Sequence, residues 1–165
     1  MRHLLILLTC VSLLIVGDGS AQSPTGIVHK SAPQFVRSDL SGHTVDLRSY
    51  RGKVVLLNFW ATWCASCQVE LPRFDEWQKK YGPQGLQILT VSMDDGDAPV
   101  RKAVRRLRLG LPVVMGDARL GEAYGGVLGL PVTFLIGRDG VITARVEGET
   151  DLNTLESQVK SLLNK

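Results

Sequence analysis

With 165 residues, 44% hydrophobic and 21% charged, the chain has the length and composition of one globular domain with a short leader. A formal net charge of +3, with the basic residues scattered outside one segment, argues against a nucleic-acid binder or a trap for acidic substrates. His3, His29 and His43 show no ligand-like spacing to the cysteines, so a four-ligand zinc site is not supported and no cofactor is expected.

Residues 1–21 read as a signal peptide. Arg2 supplies the positive start, Leu4 to Val16 an apolar core, and Gly19-Ser20-Ala21 the small residues at a cleavage site. That core reaches only ~20 Å as a helix, short of the ~30 Å hydrocarbon layer, which favours cleavage over an uncleaved membrane anchor. A lipoprotein reading of Cys10 is weak, because Leu7-Leu8-Thr9 lacks the small residue expected before a lipidated cysteine. The expected product is an exported, periplasmic or otherwise extracytoplasmic monomer.

In the mature chain, residues 22–26 are a flexible lead-in, with polar, proline-containing sequence continuing to Pro33, and residues 27–165 form the domain. Two short strands joined at Ser41-Gly42 predict a hairpin, with His43 a solvated turn residue. Lys53 to Trp60 is a nearly unbroken apolar run, the pattern of a central strand buried on both faces. Leu71, Phe74, Trp77 and Tyr81 then recur at helical spacing, with Pro72 expected to bend the helix and Gly82-Pro83 to end it.

Leu86 to Ser92 is a second buried strand. Its acidic exit, Met93 to Asp97, does not match a calcium loop and reads as a solvated turn. The helix from Asp97 to Leu109 points Val100, Val104 and Leu107 inward, while Arg101, Lys102, Arg105, Arg106 and Arg108 crowd its other faces. Those cations are read as a solvated face, with a docking patch for an acidic partner as the alternative. A strand at Pro112 to Met115, a helix at Leu120 to Tyr124, a strand entered through Pro131, its partner Val141 to Glu147 and a last helix from about Thr150 complete an α/β sandwich with a mixed sheet.

The chemistry concentrates in Trp63-Cys64-Ala65-Ser66-Cys67, at the junction of a strand and a helix. N–H groups of a first helical turn lack intrahelical acceptors, and the dipole favours negative charge there. A sulfur at the N-cap is therefore stabilised as thiolate, mainly by hydrogen bonds worth ~1.5–3 kcal/mol rather than by the dipole at ~0.3–1 kcal/mol. Cys64 is then the nucleophile and Cys67, one turn inside, the resolving thiol. As a structural staple, so small a loop would contribute only ~2 kcal/mol.

Phe59-Trp60-Ala61-Thr62-Trp63-Cys64-X-X-Cys67-X-X-Glu70-X-Pro72, with Gly129-Leu130-Pro131-X-Thr133-Phe134-Leu135-Ile136 and Asp139-Gly140, resembles the TlpA/ResA-type branch of the thioredoxin superfamily, close to the redoxin and AhpC/TSA group. The resemblance covers roughly residues 27–165. It implies a thioredoxin-like fold with a hairpin extension and an inserted helix, and a thiol-disulfide oxidoreductase.

It also implies a cis Pro131 across from the cysteines and a Leu130 backbone that pairs with the substrate chain, with Trp63 beside it. Glu70 becomes a buried acid exchanging protons with the thiols; a surface Glu70 paired with Arg73 is the alternative. Ala65-Ser66 replaces the proline-containing dipeptide common in the family, and Asn58 stands where cytosolic thioredoxins carry a buried aspartate.

The implied partners are protein disulfides and a membrane thiol-disulfide electron donor, with apocytochrome c reduction as the leading substrate. Rivals are an oxidase and a non-catalytic chaperone for apocytochrome or haem. A peroxidase is demoted, because Ala61 and Leu57 stand where a peroxiredoxin carries threonine and proline.

Overall fold

The computed structural model describes residues 24–165. The leader expected at residues 1–21 lies outside them. Among the described residues no helix is long and apolar enough to cross a membrane.

A hairpin of β1 (Val36–Ser38) and β2 (Thr44–Asp46) comes first. Its turn is held by Asp39, whose carboxylate accepts from the backbone N–H groups of Ser41 and His43, both at 2.8 Å. The central sheet contains β3 (Val54–Trp60), β4 (Leu86–Ser92), β5 (Val113–Met115), β6 (Val132–Ile136) and β7 (Ile142–Glu147), in the order β5-β4-β3-β6-β7. Strands β3, β4 and β5 run parallel, while β6 is antiparallel to both β3 and β7. Every residue of β3 is buried, as an apolar run covered on both faces requires.

Helices α1 (Ala65–Tyr81), α2 (Asp97–Leu107) and α4 (Leu152–Leu163) pack on one face, against Val54, Leu56, Trp60, Ile88 and Leu135. The other face meets α3 (Ala118–Ala123), the hairpin and the segment before it through Val55, Leu57, Phe59 and Phe134. Helix α1 runs through Pro72 as a single element, and α2 ends at Arg108 with φ 54°, a left-handed position that glycine usually fills.

One expectation is corrected. Residues 22–23 of the expected lead-in lie outside the described residues; from Pro24 to Pro33 the chain is tied down, since Pro24–Ile27 form a 3-10 turn, and His29 and Ala32 donate to the carbonyls of Ile142 and Gly140 at 2.8 and 2.9 Å. Backbone pairing to the start of β7 needs no apolar pattern, so a polar sequence can make it.

Candidate active site

Strand register assembles the site. Trp60 pairs with Ser92 across the parallel β3–β4 ladder, and Phe59 with Val132 across the antiparallel β3–β6 ladder. Chain continuing past Trp60 therefore runs beside the exit of β4 and the entry to β6. Residues 61–67, Met93-Asp94 and Leu130-Pro131 meet at one end of the sheet. The loop after β7 joins them, since Val132 pairs with Glu147 and Gly148 N–H donates to the Pro131 carbonyl at 2.8 Å.

Cys64 is the N-cap of α1, with extended backbone at φ −87° and ψ 109°, and its sulfur accepts from the Cys67 N–H at 3.2 Å. The Ser66 hydroxyl lies 3.6 Å from the same sulfur, so one residue of the Ala65-Ser66 pair adds a polar neighbour where proline would add none. The two cysteines form a disulfide. Cys64 keeps 6% of its surface and Cys67 none, whereas Trp63 beside them is 71% exposed. The Leu130–Pro131 peptide is cis, and Leu130 packs against the apolar clusters on both faces of the sheet.

Glu70 is buried at 3% exposure, and Arg73 pairs with Glu76 instead, at 2.9 Å. Neither Glu70 oxygen has a hydrogen-bonding partner of good geometry among the described residues. Burial pushes its pKa up to about 7; the backbone N–H of Thr150 pulls the other way, and the negative charge of Glu149 adds to the rise. Asn58 is buried on the same side of the sheet and donates to the Thr133 hydroxyl at 3.0 Å, across the rung that pairs the two residues.

A second carboxylate belongs here that the sequence reading placed in solvent. Asp94 is buried and accepts from Thr62 N–H at 2.9 Å and from the Thr62 hydroxyl at 2.5 Å, while Ser92 Oγ donates to it at 2.8 Å. Gln68 Nε2 donates to the Thr62 carbonyl at 2.7 Å. All three polar groups of Thr62 are thus held by side chains from the exit of β4 and from α1, fixing the chain two residues before Cys64. The signal was present in the parallel pairing: two residues beyond the Trp60–Ser92 rung lie Thr62 and Asp94.

Comparison with known proteins agrees with this geometry. Residues 28–145 match the model of the AhpC/TSA family. The chain belongs to that family. Within it, the chain is 36% identical over 136 residues to the thiol-disulfide oxidoreductase ResA of Bacillus thuringiensis subsp. konkukian, covering 82% of this chain and 78% of that protein. The ResA of Geobacillus kaustophilus is 35% identical over 160 residues, covering 96% and 91%.

Among solved structures, a thiol:disulfide interchange protein of the thioredoxin family from Chlorobium tepidum superposes with a TM-score of 0.75 at 26% identity, covering 81% of this chain and 95% of that one. This AhpC/TSA-family chain accordingly has a thioredoxin-like fold and is a thiol-disulfide oxidoreductase.

Proposed function

We propose that this oxidoreductase works outside the cytoplasm as a reductase of protein disulfides, with Cys64 as nucleophile, Cys67 as resolving thiol and Glu70 as the proton-exchanging acid. The observation that carries the assignment is the asymmetry of the thiols: Cys64 sits at the helix cap with a little open surface, and Cys67 is closed off one turn in.

In the reduced protein, the Cys64 thiolate attacks a substrate disulfide, forming a mixed disulfide and expelling one substrate thiolate. Cys67 then gives up its proton and attacks the Cys64 sulfur, which breaks the mixed disulfide and releases the second substrate thiolate. The substrate gains two electrons and the pair returns to the disulfide seen here. Glu70, three residues beyond Cys67 on the helix and with its pKa raised to about 7, is suited to take up that proton near neutral pH.

Trp63, exposed beside Cys64, and the Leu130 backbone at the cis peptide before buried Pro131 are the proposed meeting place for the substrate chain, a reading supported by the resemblance to the TlpA/ResA branch. Export is supported by the residues 1–21 pattern. A membrane electron donor resets the pair, and apocytochrome c thiols awaiting haem are the leading substrate on the resemblance to the TlpA/ResA branch.

Trapping tests the assignment. The reduced Cys67→Ala variant should accumulate mixed disulfides through Cys64, and Cys64→Ser should lose exchange. Adducts on Cys67 in a Cys64→Ser background, with exchange retained, would reverse the roles. A reduction potential near the thioredoxin value of about −270 mV supports a reductase, and one near about −120 mV an oxidase.

A further inference from the structure

Helix α2 carries an unusual surface. Val100 and Ala103 are buried, and Val104 and Leu107 pack against the same cluster, which leaves Arg101, Lys102, Arg105, Arg106 and Arg108 exposed on the outward side. Its acidic residue, Asp97, pairs with Arg101 at 2.8 Å. The remaining pattern puts like charges four apart, Arg101 with Arg105 and Lys102 with Arg106, an arrangement that destabilises a helix.

Other helices of the molecule do the opposite. On α1, Arg73 pairs with Glu76 and Lys79 with Asp75; Lys80 of α1 and Lys160 of α4 both reach Glu156. The side chains of Lys102, Arg105 and Arg108 make no ion pair or side-chain hydrogen bond among the described residues.

This cationic face is joined to the thiol site. Arg106 donates to Gln68 Oε1, and Gln68 in turn holds the Thr62 carbonyl at 2.7 Å, two residues before Cys64. Trp63, next in the chain to Thr62, and Val69, next to Gln68, are exposed apolar side chains flanking the residues that make this link. Aromatic and arginine side chains at such a place are typical of recognition surfaces.

We infer that the outward face of α2 is a docking surface for the acidic surface of a protein redox partner, steering its cysteine or disulfide to Cys64. The inference rests on the thiol-exchange reading above. An anionic membrane would also be attracted to these cations, but it offers no sulfur to Cys64, and the link from Arg106 to Thr62 favours a partner that reacts there. Steering of this kind raises association rates by about 10- to 1,000-fold and weakens as the screening length falls from about 30 Å at 0.01 M salt to about 8 Å at 0.15 M.

The test uses the full reduced protein and three disulfide-bridged peptides, identical but for flanks of four Glu, four Gln or four Lys, with reduction followed by stopped-flow fluorescence. At low salt the acidic peptide should be reduced roughly tenfold or more faster than the neutral one, and the basic peptide more slowly. Salt should level the three, and joint replacement Lys102→Gln, Arg105→Gln and Arg108→Gln should bring the acidic-to-neutral ratio close to one.

Reduction of the neutral peptide reports the chemistry and the ratio reports the face. No reduction of any peptide sinks the thiol reading and this inference with it. Equal rates for all three, or an unchanged ratio in the variant, overturn the docking face alone. Charge-dependent binding to phosphatidylglycerol vesicles together with equal peptide rates would reassign the face to lipid. The wild-type salt dependence is read without any substitution, so a variant that fails to fold does not rescue the inference.

Discussion

On the face of the central sheet covered by α3 and the N-terminal segment, Phe59, Tyr124 and Phe134 pack with ring centroids 5.0 to 5.8 Å apart, and the Tyr124 hydroxyl donates to the Pro33 carbonyl at 2.8 Å. On the face covered by α1, α2 and α4, Asn58 Oδ1 and the indole N–H groups of Trp60 and Trp77 have no hydrogen-bond partner among the described residues, and neither Glu70 oxygen has one of good geometry. Both faces are well buried, but the unpartnered polar atoms lie mainly on the second; on the first, among the described residues, Arg37 Nε is open as well. A buried polar atom without a partner costs about 1–3 kcal/mol, so natural folds keep few of them. Here most of them lie on the side that holds the thiols, and of these groups only Glu70 titrates, with its pKa raised by burial.

The sharpest way to break that division is to cut into the quiet face. Phe134→Ala should cost about 3–5 kcal/mol in urea unfolding, while the pH profile of exchange by the folded protein keeps its shape. A profile that moved would mean that the two faces are coupled.

On the other face, Glu70→Gln should slow exchange near neutral pH by about 100-fold, the low end for loss of an acid-base group, and remove a limb of the pH profile between about pH 5 and 9. The stability sign is also fixed. With a folded pKa of about 7 against an ordinary 4.5, the native state holds a proton that the unfolded chain has lost between those values. Stability from this group is therefore lost as pH rises through that window, and Glu70→Gln should gain on wild type from pH 5 to pH 8 in parallel melts.

Thr62→Val removes the hydroxyl bond to Asp94 while keeping the side-chain shape. It should cost about 1.5–3 kcal/mol, the range for a hydrogen bond to a charged acceptor, and slow iodoacetamide labelling of Cys64; Thr62→Ser should restore both. If stability fell and labelling did not change, the clamp would be structural only. Arg73→Ala gives the smallest effect. The exposed pair with Glu76 contributes at most about 0.5 kcal/mol, and exchange should match wild type.

Local patterns in the sequence carried much of this. An apolar run with β-branched members entering Cys-X-X-Cys defines the strand and the cap, because both depend on residues within a few positions of one another. The buried sheet strands and the inward stripe of α1 follow from apolar spacing. Asp94 escaped because its partner Thr62 is 32 residues away and meets it only through the β3–β4 register. Residues 28–32 escaped because backbone pairing with the start of β7 leaves no mark on side-chain pattern. Glu70 was legible as a candidate from the resemblance, but its burial depends on helix packing and on the loop carrying Glu149 and Thr150.

Arg138 closes the end of the sheet opposite the thiols, donating to the carbonyls of Gly52 at 2.9 Å and Leu163 at 3.0 Å. Because that tie draws the turn before β3, the turn after β6 and the close of α4 into one cap remote from Cys64, the cap offers an attachment point for engineering. A dye or electrode linker placed on exposed Lys53 or at Asp139 would leave the sulfur end facing solution, whereas the same tether on α2 would shield the end at which electrons are exchanged.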